Sequence, residues 1–254
     1  MFVLQVVWNP KCINRERNDQ FITISNTKIS MIKLIIFDWD DVITLGAKEG
    51  YFKCYHETLV ELGVELDSEE ERKRILENWG RTVKTELLGL LKEQPELIKQ
   101  AEEAYERVLH GNTYVELLRV VPGAQDLLLR LKERYVLAVV TGANPQILKE
   151  KVIPKFKIPE VFSNIISGYE IEPAKQKPHP FAIEKLLEEH NISTEEAIYV
   201  GDAGNDVQMA KNAGVEPVVV LTGNLTREEA EELGVKHIIP DVTHLEKVLE
   251  ELNK

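Results

Sequence analysis

The chain has 254 residues, 43% of them hydrophobic, with 43 acidic against 31 basic side chains and a formal charge of −12. That length suits one large domain or a core with a smaller insert. The charge disfavours nonspecific nucleic-acid binding, and no apolar run approaches the ~20 residues of a membrane span; the two cysteines, Cys12 and Cys54, fit no zinc or disulfide framework and read as unrelated thiols in a reducing, cytoplasmic setting.

The first thirty residues differ from the rest. They open on a short apolar run with no basic region before it, which makes a poor signal peptide. A polar stretch and the alternating FITIS follow, and then Met31 precedes a strong buried-strand pattern. The expectation is that the natural product begins at Met31 and that residues 1–30 are a mis-called start or a loose extension. The alternative is a genuine N-terminal strand or arm.

After Met31, apolar runs at 32–37, 136–140, 164–167, 197–200, 217–221 and 237–239 read as strands. Most are continuous rather than alternating, which suits strands covered on both faces. Helical patterns lie between the later ones. Residues 122–133 carry Leu127, Leu128 and Leu131 on one side, 180–190 opens on a proline, and Thr226 with Glu229 forms a capping box. Alternating strands and helices predict parallel crossover units in an α/β, doubly wound, Rossmann-like sheet.

Residues 48–118 break that alternation. Four helices are expected: 49–62 ending at Gly63, a second from Ser68 to near Gly80, a third over 81–92, and a fourth opened by Pro95 and closed by Gly111. A helical insert after the first strand would overhang the crevice where open α/β sheets bind ligands. The expected division is a core of 31–46 and 119–254 with a helical cap over 47–118.

Four small groups follow strand ends. Asp38, Asp40 and Asp41 close the first strand, where bare charge is costly and a hard cation such as Mg²⁺ is the natural compensation. Thr141 and Gly142 end the second core strand and can offer a hydroxyl and close backbone N–H groups to phosphate oxygens. Lys177 lies in a proline-bounded loop and can neutralise both a phosphoryl group and carboxylates. His179 beside it reads as structural. Asp202 and Asp206 follow Gly201, spaced as one metal ligand with a neighbour one helical turn behind.

Together DWDDVIT, VVTGA, KPHP and GDAGNDVQMA resemble the motifs of the haloacid dehalogenase-like hydrolases, in the phosphoglycolate phosphatase-like branch with a helical cap after the first motif. The likeness runs from Met31 to the C-terminus. It implies that Asp38 is a nucleophile that becomes phosphorylated, and that Asp40 protonates the leaving alcohol and then activates water. It implies that Thr141 and Gly142 hold the phosphoryl group and that Lys177 offsets charge. Mg²⁺ would be held by the Asp38 side chain, the Asp40 backbone carbonyl and Asp202, with Asp206 as a ligand through water or behind the first ligands. Arg81, with Lys84 near it, follows Gly80 in a loop that points at the active site in similar proteins, and Arg81 is expected to touch substrate.

Asp40 argues for phosphate-ester chemistry, because the dehalogenases and phosphonate-cleaving members lack an aspartate there. The implied activity is Mg²⁺-dependent hydrolysis of a small phosphorylated metabolite. A sugar phosphomutase or phosphotransferase would share the aspartyl intermediate, but Gly50 stands near where the hexose-phosphate mutases carry a cap histidine. A non-catalytic ligand-binding protein on the same fold is the remaining alternative.

Overall fold

The computed structural model describes residues 31–254. The expectation about residues 1–30 lies outside them. A six-stranded parallel sheet forms the core, built from β1 (Leu34–Phe37), β4 (Val136–Thr141), β5 (Phe162–Ser167), β6 (Ala197–Gly201), β7 (Glu216–Val220) and β8 (His237–Ile239). β2 (Thr44–Leu45) and β3 (Arg119–Val120) pair antiparallel in a separate two-residue ribbon. The sheet order is β5-β4-β1-β6-β7-β8. The strand order therefore reverses at β1, which lies between β4 and β6. Open α/β sheets leave their ligand crevice beyond the carboxyl ends of the strands at such a reversal.

Side chains alternate across each strand, so one sequence run feeds two cores. Ile35 and Phe37 pack with Leu137, Val139, Ile198 and Val200 on one face, against the helices Ala124–Lys132 and Leu245–Leu252. Leu34 and Ile36 pack with Ala138, Val140 and Tyr199 on the other, against Phe181–His190 and Gly204–Asn212. All four β1 side chains are fully buried, which explains why their sequence shows no polar alternation.

Between β2 and β3 lies a helical insert: α1 (Ala47–Glu61), α2 (Ser68–Asn78), α3 (Val83–Leu90), α4 (Ile98–Leu109) and α5 (Thr113–Leu117). The fifth, short helix goes beyond the four expected. α2 begins at Ser68, as the sequence reading has it, and its cap lies just before it. Asp67, one residue earlier than Ser68, accepts from the Glu69 and Glu70 N–H groups, so it caps the helix. Pro95 opens a 3₁₀ turn that feeds α4 rather than α4 itself. Downstream, the Thr226–Glu229 capping box forms as the spacing predicts. Among the described residues no helix is long and apolar enough to cross a membrane.

Candidate active site

The crevice is built from four strand ends. β1 gives way at Phe37 to a turn carrying Asp38, Trp39, Asp40 and Asp41, with Asp41 at φ +56°. Asp38 accepts from the Trp39 N–H at 2.7 Å and lies 3.1 Å from Lys177 Nζ, both on Oδ1. Lys177 also bonds Asp206 Oδ1 at 2.8 Å. One ammonium, 12% exposed, thus bridges two carboxylates from different strand ends. Asp38, Asp202 and Asp206 each place a carboxylate oxygen within 4.8 Å of the other two.

The residues around this trio fit it closely. Tyr199 of β6 donates to the Val140 carbonyl at 2.9 Å and to Asp206 at 3.2 Å. Asp206 Oδ2 accepts the N–H groups of Asp202 and Ala203, so it also ties down the turn into the helix Gly204–Asn212. A Cβ at Gly201 would sit 2.5 Å from Asp206, so this strand end requires glycine. Asp202 Oδ2 accepts from both the backbone and side-chain amides of Asn224, at 2.9 and 2.7 Å. Gly223 lets that loop press in: its Cβ would lie 2.0 Å from Asp202 Oδ2.

Electrostatics follow from burial. Removal from water pushes Asp38 up to about 6, opposed by Lys177 and reinforced by Asp206. Burial raises Asp202 well above its ordinary value, and the Asp206 and Asp38 charges add to that. Burial alone would lower Lys177, yet the Asp206 and Asp38 carboxylates hold it above the usual lysine range. Three clustered carboxylates against one ammonium leave net negative charge in a site largely closed to water. A divalent cation held by oxygen ligands would relieve it, so this donor set fits Mg²⁺.

Asp40 faces the other way, toward the helical insert. Its Oδ1 accepts from Tyr114 Oη at 2.6 Å and its Oδ2 from Tyr51 Oη at 3.1 Å. Burial pushes it up to about 7 against the Tyr114 hydrogen bond, with the Asp38 charge assisting. Asp41 turns away from the crevice mouth: its side chain accepts the Gly46 N–H at 2.9 Å and its carbonyl accepts from Thr222 Oγ1 at 2.5 Å. It serves as a structural clamp between the first turn and the loop after β7.

Thr141 ends β4, is 1% exposed, and its Oγ1 accepts the Ala143 N–H at 3.1 Å. Gly142 follows it with no atom within 4 Å of a would-be Cβ, so its backbone is open on that side. His179 Nδ1 accepts the Phe181 N–H at 3.1 Å just before the helix Phe181–His190, a local structural contact. Arg81 and Lys84 are exposed, and neither forms an ion pair with a site carboxylate among the described residues. Glu86 instead organises their loop, accepting from the Gly80 N–H at 3.0 Å and from the Tyr55 hydroxyl.

The structure thus brings Asp38, Lys177, Asp202 and Asp206 together, with Thr141 on the neighbouring strand end. Sequence reasoning missed Tyr51, Tyr114, Asn224 and Trp79. Asn224 had a usable signal, since it lies just past the run 217–221, at the carboxyl end of a parallel strand. The tyrosines and Trp79, whose indole N–H donates to Asn224 Oδ1 at 3.1 Å, had none. They reach the site only because the insert folds back over it.

The sequence profile of the haloacid dehalogenase-like hydrolases matches residues 32–214. This chain belongs to that family. It is 31% identical over 231 residues to a glyceraldehyde 3-phosphate phosphatase of Pyrococcus furiosus, covering 87% of this chain and 95% of that protein. It is 28% identical to a phosphoglycolate phosphatase of Aliivibrio fischeri, covering 76% of this chain and 85% of that protein. Its fold resembles that of a haloacid dehalogenase-like hydrolase from Streptococcus pneumoniae, with a TM-score of 0.70 at 20% identity, covering 85% and 98% of the two chains. The family places the phosphoglycolate phosphatase-like motifs of this hydrolase on the doubly wound core described above, with helices inserted after the first strand.

Proposed function

We propose that this hydrolase is a Mg²⁺-dependent phosphatase that cleaves a small phosphate monoester through an aspartyl-phosphate on Asp38. The observation that carries the reading is the convergence of Asp38, Asp202 and Asp206, with Lys177 bridging Asp38 and Asp206. Phosphatase relatives spanning most of the chain support it.

Asp38, Asp202 and the Asp40 backbone carbonyl would hold Mg²⁺, with Asp206 beside them. When bound, the ion would supply positive charge that lets an anionic ester approach an anionic nucleophile. Trp39 N–H and Lys177 fix the plane of the Asp38 carboxylate. A fixed carboxylate meets phosphorus with little reorganisation. Thr141 and the open backbone at Gly142 bind the non-bridging phosphoryl oxygens, and Lys177 adds charge on the same side. Asp40 is the general acid for the leaving alcohol and then the base for water. A pKa near 7 lets it hold a proton and give it up around neutral pH.

The helices over residues 47–118 act as a cap on the core of 31–46 and 119–254. Tyr51, Trp79 and Tyr114 are its contacts with the chemistry. The cap excludes water while the leaving group is still present. The substrate is a small phosphorylated metabolite, in keeping with the relatives' names. Arg81 is exposed, and its proposed role is contact with the anionic substrate.

The test is phosphate release from a panel of small phosphate esters, with Mg²⁺ and with EDTA, for wild type and Asp38→Asn. Release that needs Mg²⁺ and vanishes in the variant is the expected result. Equal release by Asp38→Asn would remove Asp38 as the nucleophile.

A further inference from the structure

Asp40 has no cationic partner among the described residues. Only two phenols, both from the cap, hold its carboxylate: Tyr114 Oη at 2.6 Å on Oδ1 and Tyr51 Oη at 3.1 Å on Oδ2. Asp40 stands in a turn rather than in a strand, so the backbone alone leaves its side chain several rotamers. The phenols themselves are well fixed. Tyr114 is 2% exposed, and its ring lies 4.6 Å from the Tyr51 ring, centroid to centroid. Gly50 of α1 makes the seat: a Cβ there would come within 2.8 Å of the Tyr114 ring. Tyr51 is backed in turn by Trp79, at 6.3 Å between ring centroids.

We infer that Tyr114, with Tyr51 as the weaker partner, is the positioning residue that aims Asp40 for proton transfer. The inference rests on the phosphatase reading above. Its shorter bond on Oδ1 fixes the carboxyl plane, and the longer contact leaves Oδ2 as the oxygen that carries the proton. In the first step a bond forms between Asp38 and phosphorus and the phosphorus–ester oxygen bond breaks. The electron pair stays on the leaving oxygen, which takes the proton from Asp40 Oδ2. Negative charge then appears on Asp40, where both phenols already donate, so they stabilise it without rearranging. In the second step water attacks phosphorus and gives a proton to Asp40, the Asp38–phosphorus bond breaks, and inorganic phosphate leaves. The same two contacts hold the base in place.

The test exploits leaving-group chemistry. An alkyl alcohol needs the proton in order to leave, whereas p-nitrophenolate departs without one. First-turnover rates with Mg²⁺ are measured for wild type, Tyr114→Phe and Tyr51→Phe on an alkyl phosphate and on p-nitrophenyl phosphate, with melting temperature as the check on folding. Tyr114→Phe is expected to slow the alkyl ester about 10-fold or more, with KM within about two-fold, while keeping the first-turnover rate on p-nitrophenyl phosphate. Tyr51→Phe should show the same pattern, less strongly. An equal loss on both esters marks a general structural role and overturns the inference, as does an unchanged alkyl rate or a change confined to KM. Failure of the phosphatase reading looks different, because wild type itself then releases no phosphate from either ester, and the positioning role falls with it.

Discussion

Asp202 illustrates how much a single carboxylate depends on its neighbours. Its Oδ2 takes two hydrogen bonds from Asn224, whose own carbonyl takes the Trp79 indole N–H. Partners of this kind orient a metal ligand and set its basicity. Asn224→Ala keeps the backbone donor but loses the side-chain one. It should weaken Mg²⁺ binding by about 10- to 100-fold, read by calorimetric titration. Affinity equal to wild type would show that the backbone amide alone orients Asp202. Lys177 is a second case, where one ammonium holds two carboxylates that would otherwise repel. Removing it leaves buried charge without compensation, so Lys177→Met should cost both activity and stability.

At the scale of elements, the loop between α2 and α3 is fixed from inside. Glu86 of α3 is 6% exposed and accepts from the Gly80 N–H and the Tyr55 hydroxyl. Burial pushes its carboxyl from 4.5 up to about 7, against the Tyr55 hydrogen bond. The folded chain therefore holds this proton where the unfolded chain has already lost it. Stability from this group is full below about pH 4.5, falls as pH rises through that window, and levels off above about pH 7. Glu86→Gln keeps an acceptor and cannot ionise. The difference in stability between variant and wild type should therefore grow from pH 5 to pH 7.5, on the order of 2–3 kcal/mol at most. Chemical denaturation across that range gives the measurement, and a difference independent of pH would contradict it.

For the whole molecule, the site draws on the ends of β1, β4, β6 and β7 and on the helical insert at once. Its carboxylates are separated in sequence by up to 168 positions, from Asp38 to Asp206, and meet only in the folded state. A cation bound by them is bound by the native form alone. Saturation with Mg²⁺ at 100 times its dissociation constant should stabilise the fold by about 2.7 kcal/mol and raise the melting temperature. EDTA should reverse the shift, and Asp202→Asn should shrink it. A melting temperature indifferent to Mg²⁺ in wild type would argue against a resident cation at this trio.

The core strands and the helical interruption were legible because both leave a periodic trace. The β1 residues 34–37 are apolar throughout because both sheet faces are covered, and the insert shows itself in caps and glycine stops. The β2–β3 ribbon, only two residues on each strand, is too short to leave a pattern. The short α5 was invisible too, although it carries Tyr114. Asp38, Thr141, Lys177, Asp202 and Asp206 could be nominated from sequence, since each follows a strand or a proline-bounded loop whose position in such a sheet is fixed by parallel topology. The direction of Asp40 could not. Its partners Tyr51 and Tyr114 lie 11 and 74 residues away on helices whose docking depends on packing between cap and core. The sequence by itself determined the sheet, the insert and the set of carboxylates, because local periodicity and strand-end placement are short-range properties. Only the tertiary structure decided which carboxylates cluster together and which one is held by phenols, because those choices depend on distances between segments that no local pattern encodes.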